Sequence, residues 1–242
     1  MKVITLVRVG TNFYRRILLA CFLTAVTTAG SCSSETLFKS NFDATDLNQP
    51  PSATQAVGTA ELAGLPGSVL VAAAPPDAAP PAKWLKVFRP NDPSQISVFR
   101  GKLIRAPGNG TYVFSCALVI PPGNTGPASI QFETFSAPAD GGGFFHLDFM
   151  PEGNVRVDDT NTVFGTFVLN QVFLVQVTLN INDTKPTAHI ILSGAGASGE
   201  LEHAIIPALL PQARQFGAVR LFMGFPNVGT FHATNVVVTK KA

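Results

Sequence analysis

The stretch Phe173–Leu192, FLVQVTLNINDTKPTAHIIL, decides the fold of this chain. Apolar side chains occupy every odd position from Phe173 to Ile181, and the positions between them are mostly polar. Because alternate side chains leave opposite faces of a strand, this pattern predicts a strand with one dry face and one largely wet face. The turn residues Asp183–Pro186 then precede a second apolar run, Ala188–Leu192. Together they predict a β-hairpin.

The same period recurs along most of the chain, between separators rich in proline, glycine and asparagine. Further strands are predicted at Thr36–Phe42, Ser68–Ala73, Trp84–Phe88, Gln95–Ile104, Thr111–Ile120, Ser129–Phe135, Gly143–Met150, Asn154–Asp158, Ala218–Phe225 and Thr230–Thr239. Two prolines interrupt the helical candidate Glu200–Gln215, so we expect at most one short helix near 200–215. The glycine-rich stretch Gly194–Gly199 is predicted to be a flexible loop. This pattern predicts an all-β fold, an antiparallel two-sheet β-sandwich.

The first 31 residues have the composition of an export signal. Lys2, Arg8, Arg15 and Arg16 give a basic start without an acidic residue. Ile17–Ala29 follows as an apolar run, and it is short for a membrane span, which needs about 20 apolar residues. We therefore expect 1–31 to be a signal peptide, 32–35 a short tether and 36–242 a single β-sandwich domain.

The end of this leader, Ala29-Gly-Ser-Cys32, resembles the lipobox of bacterial lipoproteins, in which the cysteine is acylated after cleavage. The resemblance implies a protein exported to the cell envelope and held on a membrane through Cys32. Alanine stands where the commonest form has leucine, which leaves open an ordinary signal-peptidase cut and a soluble secreted protein. The pair Arg15-Arg16 also resembles a twin-arginine signal, but its usual polar and lysine neighbours are missing, so the general secretory route is preferred.

Net charge limits the classes of binding partner, and cysteine content limits the possible disulfide bonds. The formal net charge of +2 becomes slightly negative once the basic leader is removed, so no nucleic-acid partner is expected. Of the three cysteines, Cys21 lies in the leader. Cys116 lies on an apolar strand face and is expected to be a buried, inert thiol. If Cys32 is not acylated, a Cys32–Cys116 disulfide is the remaining alternative.

The strand order resembles the concanavalin A-like lectin/glucanase jelly roll, the superfamily of legume lectins, laminin G-like modules, family-16 glucanases and several polysaccharide lyases. The resemblance is carried by FHLDF at 145–149, NVRV at 154–157, VQVTL at 175–179 and VRLFMG at 219–224. It covers most of the chain after the leader and is one of pattern and order. It implies that the first and last strands are neighbours, with Leu37–Phe42 beside Asn235–Thr239.

Glycoside hydrolysis requires two carboxylates roughly 5–9 Å apart. The glucanases of this superfamily carry them on one strand as Glu-x-Asp-x-x-Glu, and this chain lacks that pattern. The nearest carboxylates are Glu133, Asp140, Asp148 and Glu152, none of which has the required spacing. The chain after the leader also has a single tyrosine, Tyr112, which leaves little scope for the phenolic chemistry of the superfamily's lyases. No catalytic residue is therefore assigned.

No cofactor and no metal site are predicted. The four histidines, His146, His189, His203 and His232, do not fall at a ligand spacing. Asp158-Asp159 with Asn161 offers hard oxygens that suit calcium, but a simple turn explains the same residues.

Carbohydrate-binding modules hold sugars against exposed aromatic rings, with amides and carboxylates on the hydroxyls. Trp84 shares a strand face with Lys86 and Phe88, and if Leu85 and Val87 face inward it lies on an outer surface. The alternative is that Trp84 fills the core. The candidate ligand-binding residues on outward strand faces are Trp84, Gln131, Glu133, His146, Asp148 and Gln176.

By fold analogy, the sequence favours a non-catalytic exported protein that binds or scaffolds a partner, with a glycan as the first candidate. Two alternatives stay open. One is a divergent glycoside hydrolase or polysaccharide lyase, and the other is a structural component of the envelope.

The leader predicts the result of a fractionation experiment. Since several acyl chains anchor a protein where one does not, replacing Cys32 by alanine should release the protein from the membrane fraction. A Cys32→Ala protein that still sediments entirely with membranes would contradict the predicted anchor.

Overall fold

The hairpin predicted between Phe173 and Leu192 lies in the middle of a sheet. Its two strands pair antiparallel from Phe173 opposite Gly194 to Asn180 opposite Thr187. The Asn182 side chain shapes the turn, since its carbonyl oxygen accepts the backbone N–H groups of the two residues Thr184 and Lys185 at 3.0 and 2.7 Å. An asparagine that bonds the backbone two or three residues ahead is a common way to close such a turn.

The computed structural model describes residues 33–76, 78, 81–91, 96–106, 108–137, 142–158, 160, 162–224 and 227–242. Ser34–Ala242 forms one compact unit. Within the described ranges, no helix has the length and apolar content needed to cross a bilayer. Cys32 and the leader lie outside these residues, so the lipid anchor stays a prediction.

The described residues form fifteen strands. They are β1 Glu35–Ser40, β2 Thr59–Gly64, β3 Val69–Ala73, β4 Lys83–Arg89, β5 Ser97–Lys102, β6 Gly110–Val119, β7 Ala128–Thr134, β8 Gly143–Phe149, β9 Asn154–Val157, β10 Val163–Thr166, β11 Phe173–Ile181, β12 Thr187–Gly194, β13 Ser198–Ala204, β14 Phe216–Met223 and β15 Gly229–Lys240. A 3₁₀ turn at Pro207–Leu209 leads into one helical turn, α1, at Leu210–Ala213. The predicted all-β class with one short helix near 200–215 is confirmed.

The strands form one antiparallel ladder that folds back on itself. The first sheet has the order β2-β5-β14-β7-β8-β9, and β10 links it to the second sheet, β13-β12-β11-β6-β15-β4-β3. The first strand, β1, pairs with the last, β15, with Thr36 opposite Thr239 and Ser40 opposite Val236. The predicted adjacency of the chain's first and last strands is therefore confirmed.

Aromatic side chains pack the two sheets face to face. Phe132 of the first sheet meets Phe114 of the second with ring centroids 5.4 Å apart and nearly perpendicular planes. Phe149 and Phe173 meet across the same space at 5.6 Å. Burying each such side chain contributes roughly 1.5–3 kcal/mol, and edge-to-face geometry adds about 0.5–1.5 kcal/mol. One large cluster of buried residues, drawn from both sheets, forms the core.

Three strands were not predicted. β2 is a short edge strand with little β-branched content, and β10 has only four residues. β13 replaces the end of the predicted loop at Gly194–Gly199 and the start of the predicted helix. The glycines there serve strand packing, because a Cβ on Gly199 would lie 2.7 Å from the backbone of Gly165 in β10. A glycine pair of this kind permits close approach of two strand backbones.

The alternation in β11 predicts opposite outcomes for neighbouring substitutions. Val177 is fully buried and Gln176 is exposed. An aspartate at 177 would bury an unpaired charge, at a cost of several kcal/mol that is comparable with the total stability of a domain. We expect Val177→Asp to abolish cooperative thermal unfolding and Gln176→Asp to retain it. A soluble, cooperatively melting Val177→Asp protein would show that the buried face is wrongly assigned.

Candidate functional site

The outward face of the first sheet collects polar side chains. Ile130 and Phe132 of β7 and Leu147 of β8 lie in the core. Side chains alternate along a strand. Gln131, between Ile130 and Phe132, and His146, next to Leu147, therefore face outward, and each is partly exposed. The same strands that build the interior therefore position these side chains.

Strand register aligns the outward residues into a row across five strands. The paired residues are Glu61 with Arg100, Arg100 with Arg220, Arg220 with Gln131, and Gln131 with His146. The next row along β14, β7 and β8 consists of Phe222, Ser129 and Asp148. Two adjacent rows thus place amide, imidazole, hydroxyl, carboxylate and aromatic groups side by side.

These rows border an open pocket of about 270 Å³. It is lined by Pro127, Ser129, Gln131, His146, Asp148, Phe222, Gly224 and Asn227. Three of the candidate residues predicted from the sequence, Gln131, His146 and Asp148, are therefore brought together. Inside the pocket, the Ser129 hydroxyl donates a 2.6 Å hydrogen bond to Asp148 Oδ1. His146 Nε2 lies 3.4 Å from Asp148 Oδ2.

Gln131 is held by a hydrogen bond from Arg220 and lies against a glycine. Its Oε1 accepts a 3.3 Å hydrogen bond from Arg220 Nη1. A Cβ on Gly143 would lie 2.1 Å from the Gln131 amide nitrogen, so the glycine leaves room for the Gln131 side chain in this position. The Arg220 guanidinium also lies 4.3 Å from the ring centroid of Phe222.

Glu133 does not belong to the pocket, although the sequence placed it among the outward ligand-binding candidates. Its side chain is 0% exposed, and Arg100 Nε lies 2.7 Å from its Oε2. Arg220 Nη1 approaches its other oxygen at 3.5 Å. Burial raises the pKa of Glu133, while hydrogen bonds and charge from Arg100 and Arg220 oppose that shift. Glu133 is thus part of a buried ion-pair cluster.

Arg100 is the centre of that cluster. Besides Glu133, its guanidinium contacts Glu61 Oε2 at 2.6 Å and donates to the backbone carbonyl of Thr134 at 2.9 Å. Lys102 adds a longer contact of 3.5 Å to Glu61. The cluster lies next to the pocket through Arg220 and connects side chains of β2, β5, β7 and β14.

Trp84 does not offer an exposed ring, and the prediction of an accessible aromatic surface there is wrong. Leu85 and Val87 do face the core, so Trp84 leaves β4 on the opposite face. Its side chain is nevertheless 1% exposed, and its indole Nε1 donates to the carbonyl of Pro81 at 3.0 Å. The ring belongs to a small outer cluster with Ala74, Ala78, Ala117, Val119 and Val172. Ala74, Ala78 and Pro81 come from the segment after β3, and the strand pattern alone does not reveal that they cover the ring.

Gln176 lies on the second sheet, where β11 pairs with β6 and β12. It faces outward and is exposed, as predicted, but it lies on a different sheet from the pocket residues. It therefore does not join the site that Gln131, His146 and Asp148 form.

Burial shifts the pKa values of three groups outside the pocket, Cys116, Tyr112 and His232. Burial raises the pKa of the Cys116 thiol, so this cysteine is inert as expected. Burial raises the pKa of Tyr112 to about 12. The charge of Arg105 opposes this shift, and the charge of Glu35 adds to it. Burial lowers the pKa of His232 to about 4, and the positive charge of Lys86 adds to this shift.

Among the described residues, no group of three His, Cys, Asp or Glu side chains is placed to hold a metal ion. At the turn that was considered for calcium, both carboxylate oxygens of Asp158 face histidine nitrogens, Nδ1 of His146 and Nε2 of His203. Asp159 and Asn161 lie outside the described residues, as does Asp140.

Sequence reasoning missed Ser129 and Phe222. Phe222 lies between the core residues Leu221 and Met223 on β14, so its outward direction follows from the same alternation that identified Gln131. The alternation along β14 contained this information. Without knowledge of the strand pairing, however, an outward aromatic residue in an apolar run is hard to distinguish from a core residue.

The ion-pair cluster predicts unequal effects of two arginine substitutions. Replacing Arg100 by methionine leaves Glu133 buried without its nearest partner, so the free energy of unfolding in urea should fall by about 3–5 kcal/mol. Arg105 pairs with Glu35 at the surface, where the side chains are 49% and 43% exposed. Arg105→Met should therefore cost less than about 1 kcal/mol. Equal losses in both variants would contradict this account of the cluster.

Comparison with known proteins supports the fold. No protein-family model matches the chain, and no curated protein matches it in sequence. Among solved structures, the lectin UEA-II complexed with galactose is similar at a TM-score of 0.52 and 12% identity, over 87% of this chain and 99% of the lectin. Lectin II from Ulex europaeus matches over the same shares at 0.52 and 11% identity. A GH131 beta-glucanase catalytic domain from Podospora anserina gives 0.49 and 11%, over 86% of this chain and 96% of that domain. The two lectin matches, both at 0.52, show that the chain has a lectin-like β-sandwich fold, consistent with the concanavalin A-like jelly roll.

Proposed function

We propose that this protein binds neutral carbohydrate in the pocket on the outward face of β14, β7 and β8. The observation that carries the proposal is the convergence of Gln131, His146, Asp148 and Ser129 around one open pocket beside the half-buried ring of Phe222. Sugar hydroxyls form hydrogen bonds with amide, imidazole, hydroxyl and carboxylate groups, and an aromatic ring suits the apolar C–H face of a sugar.

The charge of the pocket favours a neutral ligand. Asp148 is the one carboxylate among its lining residues. The neighbouring cation Arg220 is 6% exposed and engaged with Gln131, Glu133 and Phe222. A ligand carboxylate or sulfate would approach Asp148 and be repelled, whereas a hydroxyl can donate to it.

The residues that line the pocket also favour binding over hydrolysis. Glycosidases need two carboxylates beside the scissile bond, and the pocket lining supplies Asp148 alone. Glu133, another carboxylate considered from the sequence, is engaged with two arginines, and Asp158 faces His146 and His203. The lining groups are suited to hold hydroxyls.

We also propose that the protein acts outside the cytoplasm, held on the cell envelope by acylation of Cys32. The basic and apolar leader and the small residues before Cys32 support this. A sugar-binding domain on such an anchor would meet glycans of the envelope or of the surroundings.

The binding proposal is tested with a matched pair of glutamines. The protein is screened on an array of neutral glycans that includes galactose, the sugar complexed with the similar lectin UEA-II. The affinity for the strongest glycan is then measured by calorimetry. Gln131→Ala should weaken binding by about three- to tenfold, since a hydrogen bond contributes roughly 0.5–1.5 kcal/mol.

Gln176→Ala is the control, because this exposed glutamine occupies an outward strand position on the other sheet. It should bind as the wild type does, and both variants should melt within a few degrees of it. An array without a single bound neutral glycan would overturn the proposal. Equal losses in the two variants would place the site elsewhere.

A further inference from the structure

One end of the sandwich exposes an apolar turn. Between β13 and β14, the sequence Ile206-Pro-Ala-Leu-Leu-Pro211 has no charged or polar side chain. Ile206 is 52% exposed. The other exposed residues of the turn are Pro207, Ala208 and Pro211. Contiguous exposed apolar residues with a polar rim mark a surface that contacts another molecule or a membrane.

The turn also has few backbone donors that need water. Pro207 and Pro211 have no N–H group. The N–H of Leu209 donates to the carbonyl of Ile206 at 2.8 Å, and the N–H of Leu210 donates to the carbonyl of Pro207. An unsatisfied donor is costly away from water. This turn can therefore enter a lipid interface at a lower cost than an open loop.

The turn lies at the end of the sandwich where the domain begins. Strand register forms a row across the second sheet, in which the successive paired residues are Glu35, Lys240, Tyr112, Leu179, Ala188 and His203. Glu35 is the first residue of β1, and Ile206 follows His203 by three residues. The start of β1 and the apolar turn therefore lie at the same end, which we call the tether end.

Basic side chains surround the turn. The described basic residues at the row or beyond it are Arg105, Lys185, Arg214, Lys240 and Lys241. They outnumber the two exposed carboxylates there, Glu35 and Asp183, which pair with Arg105 and with Arg214. An apolar tip with a basic rim suits an anionic lipid surface, because the rim meets the head groups while the tip enters the boundary with the acyl chains.

The proposed anchor reaches this end of the domain. Cys32 precedes Glu35 by three residues, and three residues of extended chain span about 11 Å at most. An acylated Cys32 therefore brings the tether end close to the membrane. A second contact at that end, made by the domain itself, determines how the domain stands on the surface.

We propose that the turn Ile206–Pro211 enters the surface of an anionic membrane and that the basic side chains around it bind lipid head groups. This inference rests on the proposed anchor at Cys32 and goes beyond it, because it fixes the orientation of the domain. The contact is weaker than the anchor, since one turn buries less apolar area than several acyl chains. It orients the protein and does not replace Cys32 in retaining the protein on membranes.

This orientation holds the carbohydrate pocket away from the membrane. β14 begins at the tether end, where the rings of Phe216 and Tyr112 lie 5.4 Å apart. The strand runs from there to Phe222 and Gly224, which line the pocket. Phe222 follows Phe216 by six residues, and strands rise by about 3.3 Å per residue, so about 20 Å separates the two. The pocket thus faces ligands beyond the membrane surface.

The test uses the exported protein, purified with its anchor and attached to vesicles of phosphatidylcholine with or without phosphatidylglycerol. Ile206→Trp places a fluorescent side chain in the turn. Val168→Trp is the matched control, because Val168 is 44% exposed and precedes Phe173, the end of β11 that is far from the tether end. The native Trp84 is 1% exposed and gives the same background in both variants.

On vesicles with phosphatidylglycerol, the emission of Ile206→Trp should shift to shorter wavelength and be quenched by brominated lipids. Val168→Trp should show neither effect, and both effects should be smaller without phosphatidylglycerol. Salt at about 1 M shortens the Debye length to about 3 Å, so it should reduce the quenching. Lys185→Gln combined with Lys241→Gln should reduce it in the same way at low salt.

The outcomes separate this inference from the proposals on which it builds, and none of them depends on a glycan. Protein that does not attach to the vesicles would overturn the anchor and this inference together. If attached Ile206→Trp is unquenched, or is quenched no more than Val168→Trp, this inference fails and the anchor stands. Quenching that ignores lipid charge and salt would overturn the anionic surface. A shift that needs no vesicles and grows with protein concentration would assign the turn to a contact between copies and overturn the proposal.

Discussion

Alternate burial along paired strands is the constraint on which this structure depends. Each central strand must place an apolar side chain in the interior at every second position, as Val175 and Val177 do. The residues between them therefore face outward. Antiparallel pairing aligns these outward residues across neighbouring strands, so the requirement to fill a core also determines which polar groups become neighbours.

The row from Glu61 to His146 follows from this constraint. At one end it is charged, where the buried Arg100 pairs with Glu61 of the row and with the buried Glu133 beside the row. At the other end it opens into the pocket at Gln131 and His146. A buried ion pair contributes little net stability compared with apolar residues, but it penalises any rearrangement that would leave one charge alone. We infer that the cluster fixes the strand register on which the pocket geometry depends.

The sequence predicted the hairpin, the two-sheet class and the outward direction of Gln131, His146 and Asp148, because these features need only the period of two. It left the burial of Trp84 open, and it placed the buried Glu133 on an outward face. Ala74, Ala78 and Pro81, which pack against Trp84, lie between strands, and Arg100 is 33 residues away from Glu133, so strand periodicity contains no information about either contact. Strand β13 was missed because glycine favours loops locally, whereas here it permits two strand backbones to approach closely.

The central claim is that the outward face of the first sheet binds the ligand. Backbone amide shifts of ¹⁵N-labelled protein, followed during titration with a neutral glycan, test it most directly. The account predicts perturbed amides clustered on β14, β7 and β8 around Phe222, Gln131 and His146. Perturbations confined to β6, β11 and β12 of the second sheet would contradict it.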